Sequence, residues 1–280
     1  MEPAGIGRID GRPGANLSGV PTDVDLARFV DTGLLRLDGA IPADHAAAME
    51  AVVWRYVERR AGIRLTDRST WPGPHAINFR GLKRERTLES LFDGGAVRTA
   101  LDAVFGLDGW ARPTSGAQVL LTFPAPGPWV LPYGGWHTDF WITRPSWPAL
   151  GVKVFAFLSA VEPGGGGTLV LSGSHRLVER FTEGIPSGTP GNNRLWGRLL
   201  RGDPWLHDLH RAGPEPERTQ RLLGVARVVD GVPIEVVELT GRPGDVVLTH
   251  QDVLHATAPN ASATPRVMLG KSITRVRPPG

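Results

Sequence analysis

From Ala117 onward the chain is cut into short apolar runs: AQVLLTF, VKVFAFLSAV, GTLVLSGS, VARVVD, PIEVVEL, DVVLTH, DVLHATA and RVMLGKSITR. Each is bounded by Gly, Pro, Asn or Asp. Runs of this length, rich in β-branched residues and closed by turn formers, read as strands. Eight of them in succession suggest a sandwich or barrel of jelly-roll type. The 36 glycines and 25 prolines agree, being too many for a helical bundle.

Before Ala117 the pattern differs. Residues 1–20 are rich in glycine and proline and read as a loose N-terminal arm. TDVDLARFVDTG then predicts a short helix with Thr22 as N-cap, Asp25 in the capping-box position and Gly33 as its stop. PADHAAAMEAVVWRYVERRAG predicts a longer one, its Met49, Val52, Val53 and Tyr56 recurring at three- and four-residue spacing. GAVRTALDAVFG predicts a third. The expectation is therefore one domain over 1–280, mostly helical over 21–116 and a jelly-roll core over 117–275. About 178–221 is polar and carries Trp196 and Trp205. A stretch that long without structure is unusual, so a partly helical lid or insertion is expected there.

Composition narrows the function classes. There is no cysteine, which removes disulfides, thiolate metal sites and cysteine nucleophiles. The pI of 9.8 accompanies a net charge of only +3. With two tyrosines and with Lys83, Lys153 and Lys271 as the only lysines, little titrates between histidine and arginine, so a small excess carries the pI upward. No nucleic-acid partner follows from it. The N-terminus has no apolar signal-like run, and no window approaches the roughly 18 apolar residues of a membrane span. A cytoplasmic protein with no membrane partner is expected.

GGWHTDFW, Gly134 to Trp141, holds His137 and Asp139 one residue apart. If this segment is a strand, residues i and i+2 share a face, so an imidazole and a carboxylate are presented together to one cation. A third ligand is available in GDVVLTHQDVLHATAPNASATPRVML, from either His250 or His255. Two histidines and one carboxylate on one side of a metal leave its other side open. Residue parity alone leaves both histidines possible, since a bend near Gln251 and Asp252 resets which side faces inward.

These segments, with GGGGTLVLSGSHR between them, resemble the phytanoyl-CoA dioxygenase family of Fe(II)/2-oxoglutarate oxygenases over most of residues 117–275. The resemblance implies a double-stranded β-helix of the jelly-roll, cupin-like kind. In the family an arginine eleven residues after the distal iron ligand holds the far carboxylate of 2-oxoglutarate. His255 and Arg266 have that separation and His250 does not. The resemblance thus assigns His137, Asp139 and His255 to Fe2+ and Arg266 to the cosubstrate, leaving His250 structural. It also implies O2 as co-reactant, conversion of 2-oxoglutarate to succinate and CO2, and a polar residue near the cosubstrate at Gln118. Related halogenases replace the carboxylate by a small residue. Asp139 is present, so hydroxylation of a small molecule is expected, with a secondary metabolite or an amino-acid or acyl derivative as substrate.

Elementary chemistry points the same way. A buried distal carboxylate needs a bidentate arginine, and Thr257, two residues after His255, offers it a hydroxyl. Trp141 shares parity with His137 and Asp139 and is a candidate substrate contact, whereas Trp136 and Phe140 are expected to pack away from the site. EPGGGG lacks the Gly-Lys-Ser/Thr ending of a phosphate loop and reads as a flexible turn, with His175 and Arg176 anchoring the loop that follows. His207 and His210 in HDLH read as a solvated helix face.

Three other readings compete. A zinc hydrolase uses the same three ligands but has no need of Arg266. A nucleic-acid demethylase resembles a pattern with a second arginine six residues after the first, where this chain has Ser272. A jelly-roll binding module without catalysis leaves the complete ligand set unexplained.

Overall fold

Thr22 starts the first helix as its local sequence dictates. Its hydroxyl accepts from the Asp25 amide, the Asp25 carboxylate accepts from the Thr22 amide, and Gly33 ends the helix at φ 73°. Such an N-cap contributes about 1 kcal/mol. The computed structural model describes residues 21–71, 77–93, 95–143, 149–211 and 216–276. The arm expected over 1–20 lies outside them.

The N-terminal part contains α1 (Asp23–Thr32), β1 (Leu34–Leu37), α2 (Ala43–Ala61), α3 (Arg86–Glu89) and α4 (Gly95–Phe105). Then follow β2 (Gln118–Thr122), β3 (Gly151–Phe157), β4 (Leu169–Ser172), α5 (Ser174–Phe181), α6 (Asn193–Leu200), α7 (Pro204–His210) and α8 (Pro216–Leu222). The chain continues through β5 (Arg227–Val229), β6 (Val232–Glu238), β7 (Val246–His250), β8 (His255–Ala256) and β9 (Arg266–Thr274). All eight apolar runs contain strands. LLRL, inside the part expected to be mostly helical, adds a ninth.

The strands form two antiparallel sheets, ordered β1-β7-β3-β9-β2 and β5-β6-β4-β8. This is a jelly roll with flanking helices. Alternation along the strands separates three apolar clusters. Val152, Val154, Ala156, Val246, Leu248, Val267 and Leu269 face outward, under Met49, Val53, Val57, Ala100 and Leu101 of α2 and α4. Phe155, Phe157, Val247, Met268 and Leu34 face inward, meeting Val170 and Leu239 between the sheets. Leu169, Leu171, Ile234 and Val236 face out from the smaller sheet, under α5 to α8.

That third cluster corrects one expectation. The insertion is helical, but Trp196 is fully buried and Trp205 partly so, both in the packing behind the four-stranded sheet. They are core residues there rather than a cover over the open end. Ser174, His175 and Arg176 likewise begin α5 instead of ending a strand or anchoring a loop. His207 and His210 are on α7 as expected, and no third ligand joins them among the described residues.

EPGGGG is a turn, but its turn is tightly held. Glu238 accepts from the amides of Gly164 and Gly167 at 2.7 and 2.9 Å. Gly166 lies at φ 81°, where a Cβ would stand 2.8 Å from Asn260 Cβ. Asn260 is itself fully buried and bonds the carbonyls of Thr122 and Thr264. The glycines allow the half-buried Glu238 and the buried Asn260 to clamp this end of the barrel.

Candidate metal and cosubstrate site

His137 and His255 face each other across a two-bond antiparallel bridge. The His137 amide donates to the His255 carbonyl at 3.0 Å, and the His255 amide to the His137 carbonyl at 2.9 Å. Directly opposed residues send their side chains to the same side, and the two rings lie 4.4 Å apart. The H-x-D segment is thus an isolated bridge, not the strand expected from the sequence. Alternation persists around it nonetheless: Trp136, Thr138 and Ile142 are buried, while Asp139 and Trp141 are open to solvent.

The ring nitrogens are oriented for ligation. Nδ1 of His137 lies 2.7 Å from the Gly135 carbonyl, and Nδ1 of His255 lies 3.1 Å from that of Val253. A carbonyl only accepts, so a ring that ligates a metal here keeps its proton on Nδ1 and offers the Nε2 lone pair to the ion. Both Nε2 atoms face Asp139, at 3.8 Å (His137 to Oδ1) and 3.5 Å (His255 to Oδ2). One ligand atom from each residue falls within 4.8 Å of the other two, a group that could hold a metal ion.

The electrostatics suit that geometry. Burial lowers the His137 pKa and the neighbouring His255 lowers it further, while the Gly135 carbonyl and Asp139 oppose them. Burial works to raise the Asp139 carboxyl, but His255 and Lys153 beside it outweigh that and hold it well below the usual carboxylate range. The donor set is two imidazoles and one carboxylate, a set that suits Fe(II) with open positions.

Arg266 lies on β9 opposite Thr122 of β2, and donates to the Thr122 hydroxyl and to Met268 Sδ. It is 3% exposed, and its Nε has no hydrogen-bond partner. Burial lowers its pKa to about 10, with Glu238 opposing. Among the described residues no carboxylate stands within ion-pair distance of it. A buried guanidinium without an anion is costly, and a dianionic cosubstrate with one end on the metal fits this demand.

The remaining expected residues are more open. Gln118 is exposed in the row of Gly270, on the face that also carries Thr122. Thr257 is exposed just past β8, and Trp141 is 62% exposed with its backbone bridged to Pro190. Trp136 is buried with the outer cluster of the smaller sheet, and Phe140 lies across Gly151. His250 is buried at the end of β7, its Nδ1 accepting from the Asp252 amide and its ring against Phe29 and His175. It is outside the metal group, as the eleven-residue spacing implies. Sequence reasoning missed Lys153 and Thr122. Lys153 left a signal, as the only charge inside VKVFAF.

A jelly roll that groups two imidazoles and a carboxylate, with a buried arginine that makes no ion pair among the described residues, is compatible with a 2-oxoglutarate oxygenase type of site. Residues 29–268 match the family described as Phytanoyl-CoA dioxygenase (PhyH), so the chain belongs to that Fe(II)/2-oxoglutarate oxygenase family. Its cofactors are Fe2+, 2-oxoglutarate as cosubstrate, and O2.

Solved structures show the same fold. AviO1 from Streptomyces viridochromogenes Tue57 is 16% identical with TM-score 0.53, covering 92% of this chain and 96% of its own. SnoK, a non-heme alpha ketoglutarate dependent carbocyclase from nogalamycin biosynthesis, is 14% identical with TM-score 0.53, covering 94% and 87%. HygX from Streptomyces hygroscopicus, solved with nickel and 2-oxoglutarate bound, is 15% identical with TM-score 0.50, covering 91% and 87%. No curated protein sequence matches the chain. No helix among the described residues is long and apolar enough to cross a membrane.

Proposed function

We propose that this protein hydroxylates a small organic substrate, with His137, Asp139 and His255 holding Fe(II) and Arg266 holding the distal carboxylate of 2-oxoglutarate. The observation that carries the reading is Arg266: a buried cation that makes no ion pair among the described residues and has an unpartnered Nε, in the same barrel as the three ligands. When bound, the iron supplies oxidising chemistry, coupling conversion of 2-oxoglutarate and O2 to succinate and CO2 with oxidation of the substrate. The chain's own residues orient and shield. Thr122 steadies the guanidinium, and the Gly135 and Val253 carbonyls aim the imidazoles. Gln118 and Thr257 add polar contacts to the cosubstrate, and Trp141 lies beside the substrate.

Asp139 favours hydroxylation over halogenation because the carboxylate fills the position a halide needs. SnoK is a carbocyclase from nogalamycin biosynthesis, which supports a biosynthetic small molecule as the substrate class. Anaerobic reconstitution tests the reading. Ferrous iron is expected to restore 2-oxoglutarate binding by calorimetry and, unlike zinc, succinate formation after oxygen is admitted. Hydrolytic activity restored by zinc without 2-oxoglutarate would overturn it in favour of a hydrolase built on the same three ligands.

A further inference from the structure

β3 is buried along its whole length and carries one charge, Lys153. Strand parity puts Lys153 on the inward face with Phe155 and Phe157. Its Nζ stands 2.5 Å from Asp139 Oδ2, and its side chain is 10% exposed. The position is built for it. Diagonally across on β9, Gly270 lacks a Cβ that would come within 3.2 Å of Lys153 Cε, and the ammonium lies 5.9 Å from the centre of the Phe155 ring. A buried ammonium is expensive, and one beside a cation site also repels the cation. Such a residue needs a purpose.

Coordination geometry supplies one. A carboxylate binds a metal through one oxygen or through both. With Oδ2 engaged by Lys153, Oδ1 is the oxygen left for the ion. An octahedral ion with three protein ligands keeps three positions, two for the 2-oxo acid and one for O2. A chelating aspartate would take one of those three. We propose that Lys153 is a positioning residue that restricts Asp139 to a single metal bond and so keeps a position open for oxygen, at a cost in metal affinity. This rests on the oxygenase reading above.

The two effects predict an unusual sign. In Lys153→Met the repelling charge is gone and both carboxylate oxygens are free, so ferrous iron is expected to bind about tenfold more tightly. Oxygen consumption driven by 2-oxoglutarate is expected to fall in the same variant. Lys153→Gln, too short to reach Oδ2, is expected to match it, and Lys153→Arg to stay near wild type in both readouts. The measurement is anaerobic titration of ferrous iron alone against a chromophoric chelator, with near-ultraviolet circular dichroism to verify the fold. A merely structural lysine would weaken iron binding or leave it unchanged on removal, and either result overturns the inference. Wild-type protein that binds neither iron nor 2-oxoglutarate would instead overturn the oxygenase reading itself, and this inference with it.

Discussion

A neutral imidazole has one lone pair, and the backbone carbonyl facing its other nitrogen decides where that lone pair points. At His137 and His255 those carbonyls belong to Gly135 and Val253, each two residues upstream, so the preparation for ligation is local to each segment. Asp139 completes the set. Asp139→Ala is expected to abolish succinate formation coupled to substrate while the fold persists; coupled turnover retained in that variant would remove Asp139 from the metal shell. Arg266→Ala removes the buried charge proposed to hold the far carboxylate, a change that typically costs about 3–5 kcal/mol at a buried pair. The KM for 2-oxoglutarate is expected to rise by more than about a hundredfold, and steady-state assays at saturating iron check it. Arg266→Lys is expected to recover little, because a point charge replaces a planar fork. The grouping of His137, Asp139 and His255 was legible because their types and spacings repeat a family pattern. Lys153 and Thr122 were not, because what matters about them is who stands opposite, and a sequence does not print strand register.

Strands were legible where a long apolar run ended in turn formers; β1 escaped although Gly33 and Asp38 bound it, because LLRL has only four residues, is interrupted by Arg36 and lies between two helices. The H-x-D segment was misread as a strand because alternation persists without a ladder, and two backbone bonds to His255 suffice to aim both rings. EPGGGG shows the opposite failure. Four glycines suggest looseness, yet distant Glu238 and Asn260 clamp the turn. Burial raises the Glu238 carboxyl, with the glycine amides opposing. Gly166→Ala would place a Cβ against Asn260 at a positive φ. The substitution is expected to destabilise the fold by about 1–3 kcal/mol, read as a shift of the urea midpoint. Gly164→Ala has a positive φ too, but its nearest neighbour is the Trp129 ring at 3.6 Å, so a smaller shift is expected. Equal shifts would mean that backbone strain, not the Asn260 contact, sets the cost.

On the scale of the whole molecule, the N-terminal helix must dock onto the jelly roll, and His175 is at that junction. Its Nε2 bonds the Val30 carbonyl of α1 at 2.9 Å, and its ring lies 5.0 Å from that of His250 at the end of β7. Gly33, which ends α1, receives the His250 amide on its carbonyl and has no Cβ to strike the His175 ring. Burial pushes the His175 pKa down to about 4; the Val30 carbonyl opposes that push, Arg176 adds to it, and Glu179 and Asp31 oppose it. The unfolded chain, with an ordinary histidine near 6.5, takes up the proton first. The contribution of His175 is therefore complete above about pH 6.5 and is lost as the pH falls from there towards 4. Within that window the slope is about 1.4 kcal/mol per pH unit, so going from pH 6.5 to 5 should cost about 2 kcal/mol. Other groups titrate over the same range, which makes the difference between variants the informative quantity. His175→Gln keeps a donor for the Val30 carbonyl and removes the titration, so its urea-derived stability should fall less steeply between pH 6.5 and 5 than that of the wild type, by about one proton's worth. Parallel pH profiles for the two proteins would mean that His175 takes up its proton in the folded state as readily as in the unfolded one, and that the docking of α1 does not depend on a neutral ring at this junction.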